Sequence, residues 1–334
     1  MSGLTFGYIY DFRNPPQWHK PWDSLYGEIL DVISWSEQAS FAGAWIPEHH
    51  MAGDGYMPSP LVALSAIAAR TKSIRIGSGI ALAPLYDPVR FATDCAVLDI
   101  IAGGRIEMGL AIGYRRREAE AFGIDFSKRG RMFDEWLEIV SRLGAGETLD
   151  FDGQFYRIRG AQVMPPAPRG RIPLFIGGFA DRSVERVIRH GEGYVGSEDV
   201  CLAYVDKLRE RGMDAAAAKV RITGVMTVVA EDPEAALEEL APYYHHVNNS
   251  YGEWFVEDRV HDDDHGLKRM TLDEFKRSGT LQILTPDEAI GMLRDLQRRM
   301  PLDHYMFSMP PGLPAQRFVD YAELVANKVM PAFA

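Results

Sequence analysis

Cysteine is scarce in this chain: two occur in 334 residues, Cys95 within a helical stretch and Cys201 near a strand end. Two isolated cysteines exclude a disulfide scaffold and a thiolate zinc site, and leave both as small buried hydrophobes. Long apolar runs are missing as well. No stretch of about 18 apolar residues occurs, and the opening MSGLTFGYIYDF lacks the basic, apolar, small-residue order of a secretory signal. A cytoplasmic protein with no membrane partner is therefore expected. Surplus positive charge is absent too: 36 Lys and Arg stand against 47 Asp and Glu, for a net charge of −11. The basic residues are scattered rather than striped, which argues against nucleic acid as a partner. There is no low-complexity tract and no repeat with a period of about 20 to 50 residues.

What is present is an alternation. Strand-like runs at 4–12, 44–47, 74–82, 105–112, 173–178, 193–197, 221–230 and 303–309 are separated by amphipathic stretches of helical length. The helices are expected at 24–42, 60–70, 87–102, 127–143, 181–190, 200–211, 233–245, 286–299 and 315–328, with Asp87 as N-cap and Pro88 in the first turn of the third. A hairpin is expected at 148–158, turning at Asp152-Gly153. Residues 246–284 carry the acidic run DDDH at 262–265 and little periodicity, and read as a long insertion or lid. Eight strands, most followed by a helix, fit an α/β fold of the (β/α)8 TIM-barrel type, one domain over 1–334, better than an open sheet.

Such a barrel builds its site at the C-terminal ends of its strands. The second strand ends in Glu48, His49 and His50. Imidazole and carboxylate can ligate a metal, can hold structure, or can move protons near neutrality. Adjacent strand residues point to opposite faces, so these three do not converge on one ion without a turn, and no metal is expected. The fifth strand runs through PLFIGG into a helix start, where paired glycines and free amides suit an anion or, equally, a tight turn.

Taken together, WIPEHH, IGSGIALAPLYDPVRFATDCAVLD, GGRIEMGLAIGYRRREAEAFGIDFSKRGRMFDEWLEIV, FDGQFYRI, IPLFIGG and GEGYVGS resemble, in order over about 20 to 200, the bacterial luciferase-like flavin-dependent monooxygenase family. The opening YDFRNPPQW is similar to its limonene-monooxygenase-like subgroup. This resemblance implies a barrel with reduced FMN across the C-terminal mouth and a late insertion matching 246–284. It makes His49 the base near the flavin, with His50 its neighbour. It places a non-prolyl cis peptide at Gly79 and Ile80, and the cofactor phosphate at Gly177, Gly178, Phe179, Ala180 and Ser183, with Tyr114 and Arg115 as further partners. Two departures stand out: Ala111 replaces luciferase's reactive cysteine, which makes light emission unexpected, and Glu192 replaces the aspartate of a GDGW motif.

The expected activity is a monooxygenase acting on a small organic substrate with molecular oxygen and reduced FMN from a separate flavin reductase. Tyr10, Phe12, Trp18 and Trp254 are the candidate substrate-pocket aromatics, and a homodimer through helices 60–70 and 87–102 is implied by the family. Two alternatives stand beside this reading. One is hydride transfer with the deazaflavin coenzyme F-420, disfavoured by the intact EHH; the other is a non-catalytic accessory barrel, disfavoured by retention of His49 and the paired glycines.

Overall fold

The structure, a computed structural model, describes residues 3–178, 181–258 and 267–334. In chain order the elements are β1 (Thr5–Tyr10), α1 (Trp22–Gln38), β2 (Gly43–Ile46), α2 (Pro60–Arg70), β3 (Arg75–Ser78), β4 (Ala81–Leu82), α3 (Pro88–Ala102) and β5 (Met108–Ala111). There follow α4 (Arg116–Ala121), α5 (Arg129–Gly144), the hairpin β6 (Leu149–Asp152) and β7 (Arg157–Ala161), then β8 (Leu174–Ile176), α6 (Asp181–His190), β9 (Gly193–Gly196) and α7 (Glu198–Glu210). The last third holds β10 (Val220–Thr223), β11 (Thr227–Val229), α8 (Pro233–Glu257), α9 (Leu272–Ser278), β12 (Gln282–Leu284), α10 (Pro286–Arg299), β13 (Leu302–Met309) and α11 (Ala315–Leu324).

The main sheet runs β3-β2-β1-β13-β10-β9-β8-β5-β4, with parallel pairing throughout. Its two ends are halves of one strand, interrupted at Gly79–Ile80. The first half pairs with β2 and the second with β5, and a bridge from Ile76 to Ile106 closes the cylinder. Eight strands therefore form the expected barrel. The Gly79–Ile80 peptide is cis, as the family resemblance implies.

Alternation along the strands separates two layers. Ile9, Trp45, Phe175, Val195 and Met306 form the cluster inside the barrel. Phe6, Tyr8 and Tyr10 face outward, where Tyr8 packs edge-on against Phe41 and Phe318. Asp87 caps α3 by accepting from the Arg90 amide, and Gly103 ends it with φ +66.

The N-terminal end of the barrel is closed by a polar plug. His304 is wholly buried, and its Nε2 accepts from Trp45 Nε1 at 2.9 Å. Because indole only donates, the proton of the neutral ring sits on Nδ1, which donates to Thr5 Oγ1 at 2.8 Å. Burial and the charges of Arg75 and Arg221 hold His304 well below the ordinary histidine pKa. Arg221 lies over the Phe175 ring at 3.3 Å, with Glu107 at 2.8 Å and Asp303 at 3.5 Å. Gly7 is required here: a Cβ on it would stand 2.8 Å from His304 Nε2.

Two segments differ from the sequence expectation. The run at 221–230 is two strands, because the chain turns at Gly224, where the Tyr305 ring and hydroxyl occupy the space a Cβ would need, 2.3 Å from the hydroxyl. β11 leaves the barrel and pairs in parallel with β12, so Val228 to Ala230 are not at the barrel mouth. Helix 233–245 continues as α8 to Glu257. The irregular reading of 246–284 is thus replaced, at its two described ends, by helix, by α9 with a Thr271–Glu274 capping box, and by β12. The acidic run at 262–265 lies outside the described residues.

Candidate active site

β2 delivers Glu48, His49 and His50 to the barrel mouth, and each finds a separate partner. Glu48 Oε2 accepts from the Leu82 amide at 2.7 Å, while its Oε1 accepts from the Tyr86 hydroxyl and meets His50 Nε2 at 2.8 Å. It thereby ties β2 to the far side of the strand break. His49 turns the other way, and its Nδ1 lies 2.9 Å from Glu118 Oε1. Sequence reasoning stopped at the end of β5 and missed Glu118; the signal was its position three residues after Arg115, in the first turn of α4.

Glu118 is almost fully buried. Burial raises its pKa, but the hydrogen bonds from His49 and the His50 amide, together with the charge of Arg115, outweigh this and hold it below the usual carboxylate value. An ionised carboxylate only accepts, so His49 Nδ1 carries a proton and donates. His49 Nε2 has no hydrogen bond among the described residues.

Four aromatics enclose the His49 ring: Tyr56 and Trp254 at 4.9 Å, Tyr114 at 5.5 Å and Tyr251 at 5.7 Å. Tyr56 and Tyr251 share a hydroxyl contact of 2.8 Å. The Tyr114 hydroxyl is buried with no partner among the described residues. Arg115 stacks on Trp254 at 4.3 Å, donates to His50 O and Glu118, and lies 3.7 Å from Glu257 and 3.9 Å from Asp258. Its charge is thus met by carboxylates of α4 and the end of α8.

Beside this cluster a cavity of about 50 Å3 opens over the strand break, lined by Gly79 together with residues of β1, α8 and β13. Gly177 abuts the same place, since a Cβ on it would lie 2.7 Å from Ile80 Cδ1. Gly178 has φ +134, and a Cβ there would stand 2.7 Å from Ser183 Oγ at the start of α6, so the backbone is bare at this point. The Tyr194 hydroxyl donates to Gly178 O. Phe179 and Ala180 lie outside the described residues.

The structure gathers His49, Tyr114, Arg115 and Trp254 into one cluster with His50 at its edge, and sets Gly79, Ile80 and Gly177 together beside it. It does not bring Tyr10, Phe12 or Trp18 there. Ile9 faces the barrel interior, so Tyr10 faces out and its hydroxyl donates to Ser36 on α1. Phe12 packs edge-on against Tyr26, and Trp18 lies against Tyr243, about three turns before Trp254 on α8. Among the described residues no group of three or more His, Cys, Asp or Glu could hold a metal, and no helix is long and apolar enough to cross a membrane.

Comparison with known proteins fits this arrangement. The oxygenase component of the flavin-dependent trigonelline monooxygenase of Acinetobacter baylyi is 25% identical over 93% of this chain and 90% of its own length. An F-420-dependent glucose-6-phosphate dehydrogenase of Nocardia farcinica is 28% identical over 63% of this chain and 67% of its own. Among solved structures, a monooxygenase from Streptomyces bottropensis superposes with a TM-score of 0.81 at 22% identity, covering 99% of this chain and all of its own. The oxygenating constituent of 3,6-diketocamphane monooxygenase from Pseudomonas putida, in complex with FMN, gives 0.76 at 17% identity, covering 100% and 99%. The sequence model described as luciferase-like monooxygenase matches residues 4–300, and with the barrel and its mouth in view, the chain belongs to that family.

Proposed function

We propose that this chain is the oxygenase component of a two-component flavin-dependent monooxygenase, which takes reduced FMN from a separate cytoplasmic reductase and uses oxygen to oxidise a small organic substrate. The observation that carries this reading is His49 held by one nitrogen on ionised Glu118, its other nitrogen without a hydrogen bond among the described residues, one aromatic layer from a cavity over the Gly79–Ile80 break. The Acinetobacter relative, named as an oxygenase component, supports the split from the reductase.

The residues present fit a phosphorylated flavin: the bare backbone at Gly178 beside Ser183, the start of α6, and the Tyr114 hydroxyl, which has no partner among the described residues, offer donors without a side chain in the way. When bound, reduced FMN supplies the electrons that activate oxygen. Gly177, Gly178 and Ser183 would hold its phosphate end, while Gly79 and Ile80 would support the ring. His49 Nε2 gives or takes a proton at the reacting centre, and Glu118 keeps the imidazole oriented for it. Trp254 and Tyr251, carried on α8 as part of the 246–284 lid, keep water out. Val62, Val97, Ile100 and Ile101 are exposed on α2 and α3, which supports a homodimer through those helices.

A second reading, F-420-dependent hydride transfer, draws on the Nocardia relative. The purified protein is titrated anaerobically with reduced FMN and with reduced F-420, then mixed with oxygen. Tight binding of reduced FMN followed by an oxygen-dependent transient in flavin absorbance is expected. Selective binding of F-420 with no oxygen reaction makes the chain a hydride-transfer enzyme instead.

A further inference from the structure

The cavity over the strand break has a charged pair in its wall that the chemistry above does not use, Asp11 and Arg13. Arg13, just beyond β1, is 1% exposed. Its Nε and Nη2 donate to Asp11 at 2.5 to 3.0 Å, and its guanidinium lies 4.6 Å from the Tyr56 ring centroid. Its Nη1 is buried and has no hydrogen-bond partner among the described residues. A second spare donor is adjacent. Where Tyr56 and Tyr251 share one hydroxyl contact, one proton bridges them and the other has no acceptor among the described residues. Asp11 faces this donor excess but is saturated, both its oxygens being engaged by Arg13. The remaining wall is largely apolar: Ile9, Pro47, Val225, Val247, Met309 and Pro310.

We infer that Arg13, together with the Tyr56–Tyr251 pair, seats a neutral acceptor oxygen, such as a ketone or amide carbonyl, of an otherwise apolar substrate. The inference deepens the function proposed above and rests on it for placing the flavin ring at the Gly79 side of this cavity and the substrate at the side of Arg13, Tyr56 and Tyr251. Charge decides against an anion. Asp11 and Asp54, the latter 3.9 Å from Arg13 and 2.7 Å from His246, already set two carboxylates against one guanidinium, so a substrate carboxylate would be a third in a buried site. A cation would meet the unpaired donors. A carbonyl satisfies them without adding charge, and a hydrocarbon of the same shape leaves them unpaired, the situation in which polar sites discriminate most strongly.

The test measures dissociation constants of cyclopentanone, methylenecyclopentane, cyclopentanecarboxylate and cyclopentylammonium by ligand-observed NMR, on the full chain with no flavin added. Cyclopentanone is expected to bind at least about tenfold tighter than methylenecyclopentane. In R13K, which keeps the charge opposite Asp11 but loses the fork, that preference falls to below about threefold while the hydrocarbon's affinity holds. Y251F lowers it by a smaller factor and carries the test if R13K does not fold. An undiminished ketone preference in R13K and Y251F, a carboxylate or ammonium that binds tightest, or no preference at all overturns the inference. Reduced-FMN binding is scored separately on the same samples. Ketone preference without FMN binding sinks the oxygenase reading and upholds the donor site; FMN binding and oxygen reaction without ketone preference sink only the donor site.

Discussion

The barrel carries a buried histidine at each end, and the two are built to opposite purposes. At the closed end, His304 has both nitrogens engaged, by Trp45 and by Thr5, and burial, with Arg75 and Arg221 beside it, holds its pKa well below the ordinary value. At the mouth, His49 has one nitrogen fixed on an ionised carboxylate and the other left without a protein partner among the described residues. The same side chain is immobilised where all its hydrogen-bonding capacity is filled, and left able to act where half of it is not. Burial is common to both; what separates them is a nitrogen with no partner among the described residues, one aromatic layer from a cavity.

If that contrast holds, variants at the two ends fail differently. His49→Ala should lower kcat on a turned-over substrate by about 100- to 10,000-fold while thermal unfolding stays within a few degrees of the parent. Unchanged turnover would remove the proton role. Arg221→Met should do the reverse, costing about 3 to 5 kcal/mol in denaturant unfolding because Glu107 and Asp303 lose their buried partner, with flavin affinity kept. Glu118→Gln should lower kcat by about 10- to 100-fold at constant KM, and the double variant with His49→Ala should be no slower than His49→Ala alone, since Glu118 acts through His49. Additive losses would give Glu118 a role of its own.

The smallest effect concerns pH. His304 takes up a proton less readily in the folded chain than when unfolded, so the unfolded state binds the extra proton as pH drops. Stability tied to its neutral form is complete above a pH of about 6.5 and declines below it by about 1.4 kcal/mol per pH unit until the folded group itself titrates. Denaturant unfolding of His304→Gln and the parent between pH 7.5 and 5 checks this: the variant's curve should be flatter over that range, and parallel curves would contradict it.

The barrel was legible because its strands and helices alternate in both length and period, and Glu48 to His50 were legible as a strand end. Parity was legible too but unused: Ile9 and Tyr10 cannot share a face, so an inward Ile9 sends Tyr10 to α1. The full length of α8 was hidden although Tyr244, Val247, Tyr251 and Trp254 keep helical spacing. Asn248 and Gly252 interrupt its buried face, and both answer to the returning chain near 268: Asn248 donates to Lys268 O at 2.6 Å, and a Cβ on Gly252 would stand 2.6 Å from the Arg269 amide. No local pattern reports a contact made by a segment some twenty residues later. The departure of β11 was hidden for the same kind of reason, since RITGVMTVVA is strand-forming throughout and only the Tyr305 ring makes Gly224 a corner.

The pairing of β11 with β12 has an engineering consequence. Residues between them leave and return along adjacent strands, clipped by hydrogen bonds from the Gln282 amide to Met226 O and from the Ala230 amide to Leu284 O. Because the pair is parallel, the chain leaves after Val229 at one end of the ladder and returns at Gln282 at the other, so whatever its length its two ends stay about 4.8 Å apart across the strands and about 6.6 Å apart along them. The span that carries Tyr251 and Trp254 is therefore a cassette. It can be exchanged between relatives at fixed endpoints, remodelling the roof over His49 while the eight-stranded wall beneath keeps its register.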